Sequence, residues 1–120
     1  MLFRSKQHGV RRFVLASGLM VGAARGMNVL QRTGVAIFRA MNRALYRDKV
    51  LAENEVRGSA GEWVIVRPPV FGEVAARGTY RIGVDLDVKL RKMSNADVAA
   101  ALLSALTDDK HLRQAVEISY

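Results

Sequence analysis

The segment that most restricts the fold is Trp63-Val-Ile-Val66. Four apolar residues in a row, three of them β-branched, leave no polar side for a strand to turn toward water. Such a run suits a strand covered on both faces, as in the middle of a parallel sheet. Its limits are sharp, with Gly58-Ser-Ala-Gly61 before it and Pro68-Pro69 after it. Upstream, Ile37, Met41, Leu45, Ala52 and Val56 recur on a helical period, and the spacing predicts one long helix from about Thr33 to the Gly58 turn. Upstream of that helix, Val10-Arg-Arg-Phe-Val-Leu-Ala16 reads as another mostly buried strand, stopped by Ser17-Gly18.

The remaining elements extend this alternation. Phe3 to His8 reads as a short helix stopped by Gly9, and residues 17–33, with Gly18, Gly22 and Gly26, as a long loop with a helical start. After Pro69 the alternations Tyr80/Ile82/Val84 and Val88/Leu90 predict a hairpin of two short strands, each with one solvated face. Ser94 and Asp97 form the two ends of a capping box ahead of Val98, Leu102, Leu103 and Leu106. Ala115 to Ile118 reads as a last strand. Strand, helix, strand, hairpin, helix, strand is the order of an α/β domain with a mostly parallel sheet between helical layers.

Composition narrows the chemistry. At 120 residues the chain holds one domain, and without cysteine it has no disulfide, thiolate metal site or cysteine nucleophile. His8 and His111 are too far apart in sequence to suggest a metal site. The net charge of +8 is uneven: residues 1–50 carry +9 and residues 51–120 carry −1. A basic half suits nucleic acid, anionic lipid or a phosphate-bearing small ligand. The stripe Arg39, Arg43 and Arg47 has no interleaved aromatics, so a solvated helix face is expected rather than nucleic-acid binding. Asp85/Asp87 and Asp108/Asp109 read as turn residues. The basic start and the uncharged run Phe13 to Ala24 have the outline of a secretory signal, but a strand entering a glycine-rich turn is the preferred reading. A cytoplasmic protein without membrane segments is expected.

Several segments, in order, resemble one family: His8-Gly-Val-Arg-Arg-Phe-Val-Leu-Ala-Ser17, Lys49 with Glu53, Ser59-Ala-Gly61, Trp63-Val-Ile-Val-Arg-Pro-Pro69, and Met93-Ser-Asn-Ala-Asp-Val-Ala99. Together they resemble the atypical short-chain dehydrogenase/reductases, the flavin/biliverdin reductase-like and NmrA-like NAD(P)H-binding proteins. The resemblance implies a Rossmann-like three-layer domain, cofactor NAD or NADP, and hydride transfer to a small-molecule substrate. It covers the carboxy-terminal half of that domain. No G-x-G-x-x-G or G-x-x-G-x-x-G occurs, so residues 1–120 are expected to form a single partial domain, truncated at the N-terminus and lacking the glycine-rich strand-turn-helix. Dimerisation, or pairing with a missing N-terminal half, is the corresponding expectation.

The resemblance also places candidate site residues. Ser17 ends the first strand, where it would face the nicotinamide and substrate or simply satisfy a turn. Lys49 matches a lysine that meets the ribose, against the alternative of a solvated lysine beside Asp48 and Glu53. Pro68-Pro69-Val70-Phe71 matches a loop that lies along the nicotinamide. Tyr46 and Met20 would line the substrate side. Tyr46 precedes Lys49 by three residues, not the four of the Tyr-x-x-x-Lys pair. Two functions follow: an NAD(P)H-dependent oxidoreductase contributing the nicotinamide and substrate side, with Ser17 and Lys49 as catalytic candidates, or a non-catalytic NAD(P)-binding sensor. A basic nucleic-acid-binding protein is a third and weaker reading.

Overall fold

The computed structural model describes residues 12–18, 28–84, 86, 88 and 91–120. A four-stranded sheet lies between two helical layers. Its strands are β1 (Arg12–Ala16), β2 (Glu62–Arg67), β6 (Gln114–Ser119) and β4 (Arg81–Gly83), in the spatial order β1-β2-β6-β4. The first three run parallel, and β4 adds antiparallel to β6. A second, two-stranded parallel ribbon joins β3 (Phe71–Gly72) to β5 (Met93–Ser94). The helices are α1 (Val29–Met41), α2 (Arg43–Arg57) and α3 (Asn95–Ala105), and a short 3₁₀ turn covers Asp109–His111. The domain thus has the α/β layering with a mostly parallel sheet that the alternation of elements predicts, in the Rossmann-like form that the resemblance implies.

Side-chain alternation divides the core between the two faces. Val64, Val66, Val116 and Ile118 meet Val98, Ala101 and Ala105 of α3, with Met93 sealing the end. Trp63, Ile65 and Ala115 point the other way, against Val56 of α2. Val64, Ile65 and Val66 are all fully buried, as a strand covered on both faces requires. The layers are also tied at their edges. The Arg12 guanidinium donates to the carbonyls of Ala105 and Asp108 and pairs with Asp109. A cation at the C-terminal end of α3 satisfies carbonyls that the helix leaves open.

Three expectations need correction. The single helix from Thr33 is two helices, and the first begins earlier, at Val29. Asn28 caps α1: its side chain accepts from Gln31 N–H while the Gln31 side-chain Oε1 accepts from Asn28 N–H, a reciprocal capping box. Asn42 ends α1, with its backbone N–H and its side-chain amide both donating to the Phe38 carbonyl.

Among the described residues, which leave out Leu90 of the hairpin expected after Pro69, longer-range pairing takes the hairpin's place. β4 takes β6 as its partner, and Met93–Ser94 pairs with Phe71–Gly72. The third correction concerns the α3 capping box, which is only half direct. Ser94 Oγ accepts from Asp97 N–H at 2.9 Å. The return bond runs through the Tyr120 hydroxyl, which accepts from Ser94 N–H and donates to Asp97. The Asp97 carboxylate also accepts from the Arg77 and Gly78 amides. These bonds, that from Tyr120 foremost, hold its carboxyl below the ordinary carboxylate value. The expected helix over 3–8 and the acidic pair Asp85/Asp87 lie outside the described residues. No helix among the described residues is long and apolar enough to cross a membrane.

Candidate functional site

Parallel strands end their backbone ladders together, and the ends of β1 and β2 open onto a cavity of about 410 Å³. Such a position, beyond the carboxyl ends of parallel strands, is where α/β sheets collect ligands. The floor is Ser17 and Gly18, which follow β1, and Pro68 and Pro69, which follow β2. Gln31, Gly34, Val35 and Phe38 of α1 and Lys49 of α2 form one wall, and Val70 and Phe71 the other. The prolines are buried and carry no N–H, so they offer a stiff apolar surface with no donor of their own.

Register fixes the floor. The Ser17 amide donates to the Val66 carbonyl at 2.8 Å, which carries the β1–β2 ladder one residue past the strand. The pairings Ala16↔Val66 and Arg67↔Glu117 then place Ser17, Arg67 and Glu117 in one row across three strands, on the face covered by α2. Glu53 descends from α2 onto this row. The Arg67 guanidinium donates to both Glu53 oxygens, at 3.0 and 2.7 Å, and reaches Glu117 at 3.5 Å. Glu53 and Glu117 are buried.

Burial pushes the Glu53 carboxyl up, but Arg67, the nearby Ser17 hydroxyl and Arg57 together hold it below the ordinary carboxylate value. The Arg67 guanidinium is correspondingly raised by Glu53. The Glu53–Arg67 pair therefore stays charged at neutral pH and anchors α2 beneath the cavity. Ser17 is 8% exposed, and its Oγ forms no hydrogen bond of normal geometry. A buried hydroxyl at a cavity floor, set beside a carboxylate that Arg67 already holds, keeps bonding capacity for a ligand.

The structure gathers Ser17, Lys49, Pro68, Pro69, Val70 and Phe71 around one cavity. Lys49 runs along Gly18, its side chain 3.6 Å from where a Cβ on that glycine would stand. It forms no ion pair among the described residues, because the carboxylate of Glu53 is held by Arg67 and Arg57. Tyr46 is elsewhere. It lines a separate cleft with Arg43, Ala44, Arg47, Val50 and Leu51, and its ring lies 5.4 Å from the Arg39 guanidinium carbon. Tyr46 and Lys49 are neighbours at i, i+3 on α2 but line different cavities. Met20 lies outside the described residues.

Sequence reasoning misses Gln31, which falls in the expected loop, and Val35 and Phe38, which fall in the expected helix as ordinary apolar-face residues. The signal was present as an Asn-x-x-Gln pattern ahead of an apolar run. It also missed the Glu53–Arg67–Glu117 cluster, whose only trace is a charged residue within or at the end of each buried strand.

The profile of a family described as NAD(P)H-binding matches residues 3–109. Among solved structures, a short-chain dehydrogenase/reductase from Veillonella parvula in complex with NADP superposes with a TM-score of 0.77 at 15% identity, covering 99% of this chain and 55% of that one. The oxidoreductase ylbE from Lactococcus lactis gives 0.73 at 16% identity, covering 99% and 50%. The anaerobillin reductase of Escherichia coli O157:H7 gives 0.70 at 21% identity, covering 98% and 54%. The chain thus spans about half the length of these similar structures. Among curated proteins none matches.

Proposed function

The chain belongs to the NAD(P)H-binding family, and from that premise we propose that it supplies the nicotinamide and substrate side of an NAD(P)H-dependent oxidoreductase of the atypical short-chain dehydrogenase type. The observation that carries this reading is the cavity at the ends of β1 and β2, where Ser17, Lys49 and the Pro68–Phe71 loop converge. A nicotinamide needs a flat apolar wall and a few polar groups at its edges. The buried prolines with Val70 and Phe71 offer the wall, and Ser17 Oγ and the Lys49 ammonium offer the polar edge.

When bound, the dinucleotide supplies the hydride, and the protein's part is to hold and orient. Lys49 would donate to ribose hydroxyl oxygens. Ser17 would bond the carboxamide or the substrate oxygen. The Glu53–Arg67 pair would keep both residues in place from below. No glycine-rich phosphate turn occurs in the sequence, so the pyrophosphate would take its main contacts from outside this set of residues.

A second reading has its own support. Tyr46 and Lys49 face different cavities, so the phenol–ammonium dyad of typical short-chain dehydrogenases is not assembled here, which favours a non-catalytic NAD(P)-binding sensor. One titration series separates the readings. Wild-type protein should bind NADPH, and Lys49→Ala should weaken binding about tenfold, equal to about 1.4 kcal/mol. No binding at millimolar NADPH would overturn both readings for this chain. Binding without NADPH consumption in the presence of quinone or flavin acceptors would favour the sensor.

A further inference from the structure

One lining residue of the cavity has its hydrogen-bonding direction fixed by an unrelated duty. Gln31 is the third residue of α1, and its side-chain Oε1 accepts the Asn28 N–H at 3.1 Å to close the capping box. The donor there is a backbone amide, so only the oxygen of the Gln31 amide can face it. Its NH₂ group is therefore turned away from the cap, and it bonds to no described residue. Gln31 also lines the cavity. The capping box thus presents an oriented amide donor to the site.

The other polar groups have matching character. Lys49 contributes an ammonium, which has donors and no acceptor. Ser17 Oγ, buried beside the Glu53 carboxylate, completes the polar set. No Asp or Glu lines the cavity among the described residues. The α1 N-terminus adds partial positive charge, with no acidic side chain in its first turn to offset it. Everything else around the opening is apolar: Val35, Phe38, Val70 and Phe71, with the two prolines behind.

We infer that Gln31 is a specificity-determining residue and that the site takes a hydrophobic molecule carrying a carboxylate, whose oxygens meet the Gln31 NH₂ and one of the three Lys49 N–H donors, the others staying free for the ribose, while its apolar body lies against Val35 and Phe38. This inference rests on the oxidoreductase reading for the identity of the site as a substrate pocket. Its hydrogen-bond polarity stands on geometry alone. An alcohol or amine of the same shape gains less, because a protonated amine meets the Lys49 charge and a neutral hydroxyl lacks the charge that strengthens these bonds.

Two probes of one shape test it: 2-naphthoate and 2-naphthylmethanol, titrated into the full chain by calorimetry or ligand-observed NMR. The wild type should bind the carboxylate about tenfold more tightly than the alcohol, about 1.4 kcal/mol. Gln31→Glu keeps the cap acceptor, and with it α1, while it replaces the donor with an anionic oxygen. This variant should lose the preference with an unchanged thermal midpoint. Gln31→Met removes the donor without adding charge and should lower the preference by a smaller factor. Equal binding of the two probes to wild type, no binding of either, or an intact preference in Gln31→Glu would each overturn the inference. A parallel NADPH titration keeps the two claims apart. Carboxylate preference without NADPH binding would overturn the oxidoreductase reading and leave the polarity of the cavity standing. NADPH binding without the preference would do the reverse.

Discussion

Helices α1 and α3 are capped alike and differ in what they cover. Each starts at a polar side chain that accepts the N–H three residues on. α3 is built of small residues, and Ala101, Ala105 and Val98 lie buried against the sheet. α1 is richer in large apolar side chains, yet none of its residues is buried, and Val29, Leu30 and Met41 are about four-fifths exposed at 81, 80 and 79%. Apolar content and good caps make a helix. Close approach to a complementary surface makes a core, and small residues permit that approach. The candidate site lies beneath the less anchored helix, with the sheet as its fixed floor.

If the sheet carries the stability and α1 does not, substitutions should separate by region. The largest loss is expected for Arg67→Leu, which leaves Glu53 and Glu117 buried without their shared guanidinium. Breaking a buried pair in this way costs about 3–5 kcal/mol, measurable by urea unfolding followed through the lone tryptophan, Trp63. The same variant carries a pH signature. The Glu53 pKa is depressed in the fold, so its contribution is fully present above the ordinary carboxylate pKa of about 4.3 and is lost as pH falls through the lower folded value. Removing Arg67 raises the folded pKa, so acid unfolding should begin at higher pH than in wild type. An unchanged acid midpoint would mean that the cluster is not coupled to folding.

Next, Ile118→Ala should cost about 2–5 kcal/mol, because it empties a fully buried site. Ile37→Ala on α1 should cost no more than about 0.5 kcal/mol. Equal losses at the two positions would break the comparison and show α1 to be as tightly packed as the sheet. Tyr120→Phe should cost about 1–2 kcal/mol, since it strands the Ser94 amide and removes one bond from Asp97. The smallest effect is a gain. A Cβ at Gly34, inside α1, would meet nothing within 4 Å, so Gly34→Ala should stabilise by about 0.5–1 kcal/mol through helix propensity.

The parts of the molecule legible in the sequence were those written locally. β1, β2 and β6 are short apolar runs between glycines, prolines and charges, and the Ser94 cap of α3 is a four-residue pattern. The break at Asn42 was not legible, because the apolar period of Ile37, Met41 and Leu45 continues across it and a one-residue interruption does not disturb a period. The partner of β4 was hidden for another reason. An alternating strand shows which face is buried but not which edge it joins, and β6 lies more than thirty residues on. The site divides in the same way. Ser17, Lys49 and the Pro68–Phe71 loop stand at strand ends or on a helix that pattern and resemblance locate. The Glu53–Arg67–Glu117 row exists only once the register is known.

That register has a consequence in time. Arg12 opposes Glu62 and Val64 opposes Gln114, so both parallel pairings of the four-stranded sheet join residues fifty positions apart. Two loops of that length must close before the central ladder returns any stabilisation, and closure of long loops is the slow part of folding. The helices need no such closure and can flicker into existence first. A stopped-flow experiment should therefore find far-ultraviolet helical signal arriving ahead of the Trp63 signal, because the indole is buried only when β2 has found its neighbours.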